Sequence, residues 1–318
     1  MARAFFIAGP TATGKSSLAA DVAREIGAEI VRADAFQIYR GLDLLTGKPE
    51  PLILGKAPHH LIGTVPLSEE MNAEKYRRVA TSVIESINSR GKLAIVVGGS
   101  GLYIKALTHG LAPLPESDPK LRKKLNALNL DELRSRLCEL DPNTAEKIDP
   151  KNHRRIVRAL EICLLLGKPA SEVVAGLGES GRGGSSALAK ATADKPIPAT
   201  GVFVLRDREE LYRRINQRVE IMFERGVIEE VRYAGVTSAT ASQMIGLREI
   251  RRLLAGEESL TQCIAEIQQA TRRYAKRQLT WFRRQTNFLP LNLSFLTHNE
   301  AVKWISLRVL SESGTRDD

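Results

Sequence analysis

The stretch GPTATGKSS, from Gly9 to Ser17, constrains the fold of this 318-residue chain more than any other segment. It fits the pattern G-x-x-x-x-G-K-[ST], in which backbone N–H groups at the start of a helix surround phosphate oxygens. The apolar run AFFIA precedes it and the amphipathic segment KSSLAADVAREIG follows, which is the strand–loop–helix context that the pattern requires. The predicted phosphate-binding residues are Gly9, Pro10, Thr11, Ala12, Thr13, Gly14, Lys15 and Ser16.

The phosphate loop predicts a diphosphate or triphosphate ligand and does not decide between them. Lys15 adds a mobile positive charge, and the hydroxyl of Ser16 is of the kind that holds Mg²⁺ beside phosphates. We therefore expect Mg²⁺ as the cofactor and Ser16 as its protein ligand. A kinase or NTPase also needs an aspartate at the end of a nearby strand. Asp34 could serve, but the best apolar strand, LAIVVGG, ends in glycines and Ser100, which argues mildly against ordinary ATP chemistry.

Segments typical of strands and of helices alternate over the first third of the chain. AEIVRAD is a short strand that ends at Asp34, residues 73–91 form a helical segment, and KLAIVVGGSG is a strand that enters a glycine turn. This alternation predicts an α/β fold with a parallel sheet flanked by helices. Ligands of such sheets bind at the carboxyl ends of the strands, so we expect Gly9, Asp34 and Ser100 to meet in one crevice.

The character of the sequence changes near Pro113, where helical periodicity begins and strand patterns stop. We predict a core formed by residues 1–112 and 201–318, with mostly helical segments towards its C-terminal end, and a helical insertion at residues 113–200. Within the insertion, residues 175–190 are rich in glycine and serine and predict a mobile loop. A linker is a simpler interpretation of this loop than a lid.

The chain is basic, and its formal net charge of +10 favours a polyanionic partner, nucleic acid above all. An inert basic surface would give the same charge. The three cysteines, Cys138, Cys163 and Cys263, are widely spaced and predict neither a zinc site nor a disulfide framework. Reduced, buried thiols are typical of a cytoplasmic protein. No apolar stretch in the sequence is long enough to predict a membrane span, so we expect no membrane partner.

Further along the chain, four segments accompany the phosphate loop in a fixed order. They are DAFQIYRGLDLLTGKP (34–49), APHHLI (57–62), GGSGLYIKAL (98–107) and KRQLTWFRR (276–284). Together with GPTATGKS they resemble the tRNA dimethylallyltransferases, the bacterial tRNA isopentenyltransferase family. The resemblance implies a P-loop kinase-like core, a helical insertion that grips the anticodon stem-loop, and a monomer. It also implies transfer of a dimethylallyl group from dimethylallyl diphosphate to N6 of the adenosine immediately 3′ of the anticodon (position 37 of the tRNA).

The resemblance implies catalytic roles for Asp34, Ser100, Lys15 and Arg208. Asp34 is expected to accept a proton from the adenine amino group, although capping a turn is a common role for an aspartate after a strand. Ser100 stands where the family usually has threonine, and its hydroxyl is expected to donate to the diphosphate. Lys15 and Arg208 are expected to stabilise the departing diphosphate, Arg208 through a bidentate contact. An exposed arginine at a helix start is the simple alternative for Arg208.

The resemblance also predicts the residues that contact tRNA. Arg155 and Arg158, three residues apart on a helix, are expected to contact phosphates. Ala35 and Phe36 depart from the family pattern, in which a serine follows the acid, so Phe36 is expected either to stack on a base or to pack. Trp281 is expected either to contact RNA or to lie in the core. The predicted tRNA-binding set is Asp34, Ala35, Phe36, Gln37, Ser100, Arg122, Arg154, Arg155, Arg158, Gln243, Gly246, Arg248, Lys276, Arg277, Gln278, Trp281 and Arg283.

Three classes of function are compatible with parts of this sequence. A tRNA prenyltransferase accounts for all of the segments. An ATP-dependent small-molecule or polynucleotide kinase would use the same loop, but it leaves GGSGLY and KRQLTWFRR unexplained. A non-catalytic RNA-binding module accounts for the charge and leaves the phosphate loop without a role. Donor binding separates the three, because only the prenyltransferase should bind dimethylallyl diphosphate and only the kinase should bind ATP with Mg²⁺.

Overall fold

The structure is a computed structural model, and it divides the chain into two compact units. The first unit comprises Met1–Gly110 and Pro196–Asp318, and the second comprises Leu111–Lys195. The predicted insertion, 113–200, differs from the second unit by a few residues at each end. The described residues are 2–111, 114–173, 196–285 and 287–314. The glycine- and serine-rich stretch 175–190 lies outside them.

Strands and helices alternate through the first unit, and the regular elements in the described part of the second unit are helices. The strands are β1 (Ala4–Ala8), β2 (Glu29–Ala33), β3 (His59–His60), β4 (Ala94–Gly98), β5 (Thr200–Leu205) and β6 (Leu289–Asn292). The α-helices are α1 (Lys15–Ile26), α2 (Asp43–Thr46), α3 (Pro51–Leu54), α4 (Ala73–Ser89), α5 (Gly101–His109), α6 (Pro119–Asn126), α7 (Leu130–Leu140), α8 (Pro142–Lys147), α9 (His153–Leu166), α10 (Arg208–Glu224), α11 (Val227–Arg232), α12 (Leu247–Leu254), α13 (Leu260–Gln285) and α14 (His298–Gly314). Helices α6 to α9 belong to the second unit.

The six strands form one sheet in the order β3-β2-β4-β1-β5-β6, and every neighbouring pair is parallel. Strand β1 is central, with Phe6 paired to Val96 of β4 and to Gly201 of β5. Because all strands run the same way, the loop after β1 and the turns after β2 and β4 meet at one edge of the sheet. The predicted α/β fold with a parallel sheet flanked by helices is confirmed.

Both faces of the sheet are buried, which explains why its strands are almost continuously apolar. Phe5 and Ile7 of β1 belong to the cluster that packs α1 and α14 against one face. Phe6 and Ala8 belong to the cluster on the other face, to which α4, α5, α10 and α13 contribute. Asn72 caps α4 through a hydrogen bond from the backbone N–H of Lys75. These two packed layers fix where the strand ends lie.

The second unit is helical throughout its described part and has its own small core. Leu133, Leu137, Ile156 and Leu160 are its most buried apolar residues, and they join α7 to α9. The prediction of three buried cysteines is wrong for Cys138, which is exposed on α7. In the part of the chain that the structure describes, no helix has the length and apolar character needed to cross a membrane.

Candidate active site

The phosphate loop is the turn between β1 and α1, and its backbone depends on small residues. Gly14, which precedes α1, has a φ of 93°, and Ala12 has a φ of 63°. Both values lie in the left-handed region, which is costly for residues with a Cβ. A Cβ on Gly9 would overlap the carbonyl oxygen of Val204 on β5. The loop is therefore pressed against the sheet, with the N-terminus of α1 at its end.

Two arginines that follow β5 donate hydrogen bonds to backbone carbonyls of the phosphate loop. Nε of Arg206 donates to the carbonyl of Thr13 at 2.9 Å, and Nε of Arg214 donates to the carbonyl of Ala12 at 2.8 Å. The carbonyls of Ala12 and Thr13 therefore already have hydrogen-bond donors within the protein. This arrangement concentrates positive charge around the loop and favours an anion as its ligand.

Arg218 of α10 joins the phosphate loop to the segment that follows α2. Its guanidinium donates to Oγ1 of Thr11 at 2.9 Å and to the carbonyl of Thr46 at 3.2 Å. A Cβ on Gly47, whose φ is 59°, would overlap this guanidinium. The glycine at position 47 is therefore favoured both by its left-handed backbone and by the position of Arg218.

Lys15 is a buried cation at the centre of these contacts. Its Nζ donates to the carbonyl of Pro10 at 2.9 Å. Burial lowers the pKa of Lys15 to about 8, the charge of Asp34 opposes that shift, and Arg218 and Arg32 add to it. Lys15 is therefore mostly protonated at neutral pH, and an anionic ligand favours its charged form further.

Asp34 directly follows β2 and has two different carboxylate oxygens. Oδ1 accepts hydrogen bonds from the backbone N–H of Phe36 at 3.0 Å and of Gln37 at 3.3 Å, which is the turn-capping role. Oδ2 accepts no hydrogen bond from the described residues, and Asp34 lines the cavity beside the phosphate loop. One oxygen thus fixes the side chain while the other is free to accept a proton.

Ser100, at the turn between β4 and α5, is hydrogen-bonded to the backbone of the two residues that flank Asp34. Its Oγ accepts a hydrogen bond from the N–H of Ala35 at 2.8 Å and contacts the hydroxyl of Tyr274 on α13. Burial, followed by the charge of Asp34, raises the pKa of Tyr274, so its phenol stays protonated. The sequence analysis did not identify Tyr274. Its spacing of four residues from Gln278, which puts both on one helix face, is a signal that could have identified it.

Lys15, Asp34, Arg218 and Tyr274 line one cavity of about 950 Å³ in the first unit, whereas Ser100 lies behind Ala35 and is not among the lining residues. Its polar wall is formed by Lys15, Ser16, Arg32, Asp34, Arg214 and Arg218. Its apolar wall is formed by Leu54, Ile62, Met222, Met244, Ile245 and Ile267. A cavity lined by both cationic and apolar side chains matches a ligand that carries both an anionic group and a hydrocarbon group.

Arg208 does not reach this cavity. It is exposed in the first turn of α10, with its guanidinium 5.3 Å from the centre of the Tyr212 ring. The position that the sequence analysis gave to Arg208 is filled by Arg218 and Arg214, which are four residues apart on the same helix and line the cavity. The separation of four residues could have found this pair.

The hydroxyl of Ser16 has a protein partner that the sequence analysis missed. Its Oγ accepts a hydrogen bond from Nη1 of Arg32, on β2, at 2.9 Å. A guanidinium therefore lies on the oxygen that was expected to bind Mg²⁺, and the residues around Ser16 do not fit a metal ion on that oxygen. Magnesium at Ser16 stays a prediction, and Arg32 is the observation against it.

A family model described as IPP transferase matches residues 37–285. The chain belongs to the IPP transferase family. It is 42% identical over 285 residues to tRNA dimethylallyltransferase 1 of Citrifermentans bemidjiense, covering 88% of this chain and 89% of the relative. It is 41% identical to the tRNA dimethylallyltransferase of Geobacter sulfurreducens, covering 94% of this chain and 90% of the relative.

Solved structures of transferases are similar to this IPP transferase over almost its whole length. The full-length tRNA isopentenylpyrophosphate transferase of Bacillus halodurans matches with a TM-score of 0.68 at 30% identity, covering 98% of this chain and 97% of that one. A eukaryotic dimethylallyltransferase acting on tRNA matches with a TM-score of 0.76 at 26% identity, covering 98% of this chain and 80% of that one.

On α13 of the IPP transferase, the residues predicted to contact tRNA have different environments. The exposed ones are Lys276, Arg277 and Arg283, which keep that prediction. Gln278 is buried, accepts from the N–H of Thr11 at 3.0 Å and donates to the carbonyl of Gly99 at 2.9 Å. Its amide is thus engaged within the protein. Trp281 is half-buried against Phe282, and a Cβ on Gly101 would overlap its ring, which favours the packing alternative.

The segment after Asp34 is also used mainly within the protein. Ala35 and Phe36 are half-buried and pack against the core of one sheet face, and Phe36 also lines the cavity, so both alternatives for Phe36 stay predictions. Gln37 is buried, and its amide nitrogen donates to the carbonyls of Thr46 at 3.3 Å and Gly47 at 2.9 Å. Gln37 therefore shapes the cavity wall, and its nitrogen is not free to read an adenine.

The segment from Gln243 to Arg248 shows one exposed cation and one tightly packed glycine. Gln243 and Arg248 are exposed, and Arg248 lines a smaller depression next to α12. Gly246 has a φ of 96°, and a Cβ there would lie 2.8 Å from a methyl carbon of Leu45. The close approach predicted at Gly246 is thus an approach to the protein core.

In the second unit, the four predicted arginines fall into two pairs. Arg154 and Arg155 are exposed at the start of α9. Arg122 and Arg158 instead both pair with Glu161, whose side chain is fully buried. The first pair is free to meet phosphates, whereas the second pair neutralises a buried carboxylate.

Proposed function

We propose that this chain transfers a dimethylallyl group from dimethylallyl diphosphate to N6 of the adenosine immediately 3′ of the anticodon in tRNA. The observation that carries the proposal is the single cavity that joins the phosphate loop, the free oxygen of Asp34 and an apolar wall. The names of the relatives supply the substrate class. A monomer in the cytoplasm, bound to the anticodon stem-loop, is part of the same proposal.

The reaction is a substitution at the allylic carbon of the donor. The bond from N6 to C1 of the dimethylallyl group forms, the bond from C1 to the diphosphate oxygen breaks, and its electron pair leaves with the diphosphate. The proton lost from N6 goes to Oδ2 of Asp34, because Oδ1 is held by two backbone N–H groups. Lys15, Arg214 and Arg218 provide positive charge where the leaving group gains negative charge.

Substrate positioning follows from the two walls of the cavity. The apolar wall, with Met222 and Ile267, suits the branched hydrocarbon of the donor and excludes water from an allylic carbon. An adenine amino group is a weak nucleophile and lies inside a stacked loop, so the base has to be extruded and held close to Asp34. The exposed cations of α13 and α9 are proposed to hold the RNA through its phosphates.

The rival function, an ATP-dependent kinase, would place a triphosphate on the same loop. It leaves the apolar wall of the cavity without a role, and the relatives are named as transferases of dimethylallyl or isopentenyl groups. The prenyltransferase needs dimethylallyl diphosphate as its donor, whereas the kinase needs ATP.

The test is a transfer assay with labelled dimethylallyl diphosphate and undermodified tRNA, with γ-labelled ATP in a parallel reaction. We expect label on adenosine N6 in the first reaction and none on RNA in the second. The variant Asp34→Asn is the control, because it keeps the oxygen that caps the turn and removes the base. Label transferred only from ATP would overturn the proposal in favour of the kinase.

A further inference from the structure

Arg32 is a charged residue in β2, a strand whose five residues are all buried. The strand's other charged residue, Glu29, has its own ion pairs with Arg90 and Lys92. The side chain of Arg32 is among the largest fully buried ones, with 2% relative exposure. Nη1 donates to Oγ of Ser16 at 2.9 Å, whereas Nε and Nη2 are buried without a hydrogen-bond partner among the described residues. Buried guanidinium nitrogens without partners are uncommon and call for an explanation.

The charge of Arg32 is retained even though it is buried. Burial lowers the pKa of Arg32 to about 10 and the charge of Asp34 opposes the shift, so the guanidinium is protonated at neutral pH. No ion pair links it to a carboxylate within the described part of the chain. A buried cation without a paired anion is costly, and an anionic ligand in the cavity that Arg32 lines would offset that cost.

The contact with Arg32 changes what Ser16 can do. A hydroxyl that binds Mg²⁺ offers a lone pair at about 2.1 Å from the ion. Here Oγ accepts from a guanidinium instead, so its own proton is left for donation to a diphosphate oxygen. A metal ion on the same oxygen would face the guanidinium as a like charge. Among the described residues, no group of three or more His, Cys, Asp or Glu side chains is arranged to hold a metal ion.

We propose that Arg32 supplies, through Ser16, the positive charge that a divalent cation would otherwise supply to the donor diphosphate. Diphosphate binding and prenyl transfer by this chain then need no divalent cation. Arg32 acts through the hydroxyl of Ser16 and is a positioning residue, with the diphosphate as its anionic partner. The inference rests on the proposed function for the identity of the donor.

The first experiment measures binding of inorganic pyrophosphate by calorimetry, with EDTA or with Mg²⁺. For the wild-type protein we expect dissociation constants that agree within about threefold. Arg32→Ser frees Oγ of Ser16, so we expect at least tenfold weaker binding in EDTA and recovery with Mg²⁺. Arg32→Lys keeps the charge and should keep the independence from Mg²⁺. Wild-type binding that is lost in EDTA would overturn the inference, even if Arg32→Ser fails to fold.

The second experiment measures prenyl transfer with the tRNA folded by cobalt(III) hexaammine in place of Mg²⁺. This complex does not exchange its ligands, so it stabilises RNA without coordinating Ser16 directly. We expect wild-type transfer to persist and transfer by Arg32→Ser to require Mg²⁺. Wild-type transfer that appears only with Mg²⁺ would refute the inference and leave the proposed function intact. No transfer under either condition would contradict the proposed function itself.

Discussion

The side-chain oxygen of Gln278 accepts a hydrogen bond from the backbone N–H of Thr11 at 3.0 Å, although the two residues are 267 positions apart. The amide nitrogen of Gln278 donates to the carbonyl of Gly99 at 2.9 Å. One buried side chain on α13 therefore joins the phosphate loop to the turn before α5. Helix α13, which carries cations predicted to contact tRNA, is therefore linked to the phosphate loop through this one side chain.

Replacing Gln278 with Leu is expected to loosen this joint. Both backbone groups lose their partner in a buried position, at a cost of about 1–3 kcal/mol each. We expect a lower free energy of unfolding in urea and a raised KM for the prenyl donor. Thr280→Ala, at an exposed site on the same helix, is the matched control and should change neither quantity. If the KM for the prenyl donor is unchanged in Gln278→Leu, the hydrogen bonds of Gln278 do not determine the conformation of the phosphate loop.

Replacing Asp34 with Asn separates its two roles. Asparagine keeps an oxygen for the N–H groups of Phe36 and Gln37, so the turn and the stability should be preserved. It removes the proton acceptor, and loss of a general base lowers kcat by about 10²- to 10⁴-fold. The measurements are single-turnover transfer and pyrophosphate binding, of which only the first should fall. Transfer within a few-fold of wild type would exclude Asp34 as the base.

The pKa of Lys15 predicts a pH dependence of donor capture. Burial lowers this pKa to about 8, so the free enzyme carries the charge below pH 8 and loses it as the pH rises through 8. kcat/KM for the donor reports the free enzyme and should fall above pH 8, towards tenfold per pH unit. kcat should fall less, because the bound diphosphate favours protonated Lys15. Lys15→Arg stays charged over this range, so a steep fall in that variant would assign the profile to another group.

Much of this site could be predicted from the sequence because its residues follow strands. Gly9, Asp34 and Ser100 each come just after a strand of a parallel sheet, and that topology alone brings them to one edge. The residues that the sequence analysis missed reach the site from elsewhere. Arg218 and Tyr274 come from helices whose distance from the loop depends on the packing of the whole core.

The sequence analysis missed Arg32 and expected Arg208 at the diphosphate, and the two errors have different physical reasons. Arg32 lies inside a strand that reads as buried, where a charge is itself a signal of a function. Arg208 matched a family position by type, but its place in the first turn of α10 directs it to solvent. Strand β6 pairs with β5 after a long helical stretch and was not predicted, since its run LPLN is short and contains proline.

The two pairs of arginines in the second unit should respond differently to substitution. Arg158→Met removes one partner of the fully buried Glu161, and breaking a buried pair costs about 3–5 kcal/mol. Arg122 still donates to both carboxylate oxygens of Glu161, so a loss at the low end is expected. Arg155→Met should leave the melting temperature unchanged, weaken tRNA binding and reduce its salt dependence. Equal melting temperatures for the two variants would contradict the structural role of Arg158.

Arg218 and Arg208 lie on the same helix and give the sharpest test of which arginine serves the diphosphate. Arg218→Gln removes the guanidinium that contacts Thr11 and lies against Gly47 in the cavity wall. Loss of a charged donor to phosphate is worth about 1.5–3 kcal/mol, so the donor KM and the inhibition constant of pyrophosphate should both rise roughly 10- to 100-fold. The KM for tRNA should stay within a few-fold of wild type, because Arg218 contacts the phosphate loop, where we propose that the diphosphate of the donor binds. Arg208→Gln, at an exposed site, should match wild type in all three constants. If Arg208→Gln weakens pyrophosphate as much as Arg218→Gln does, the diphosphate extends beyond this cavity and the assignment to Arg218 is wrong.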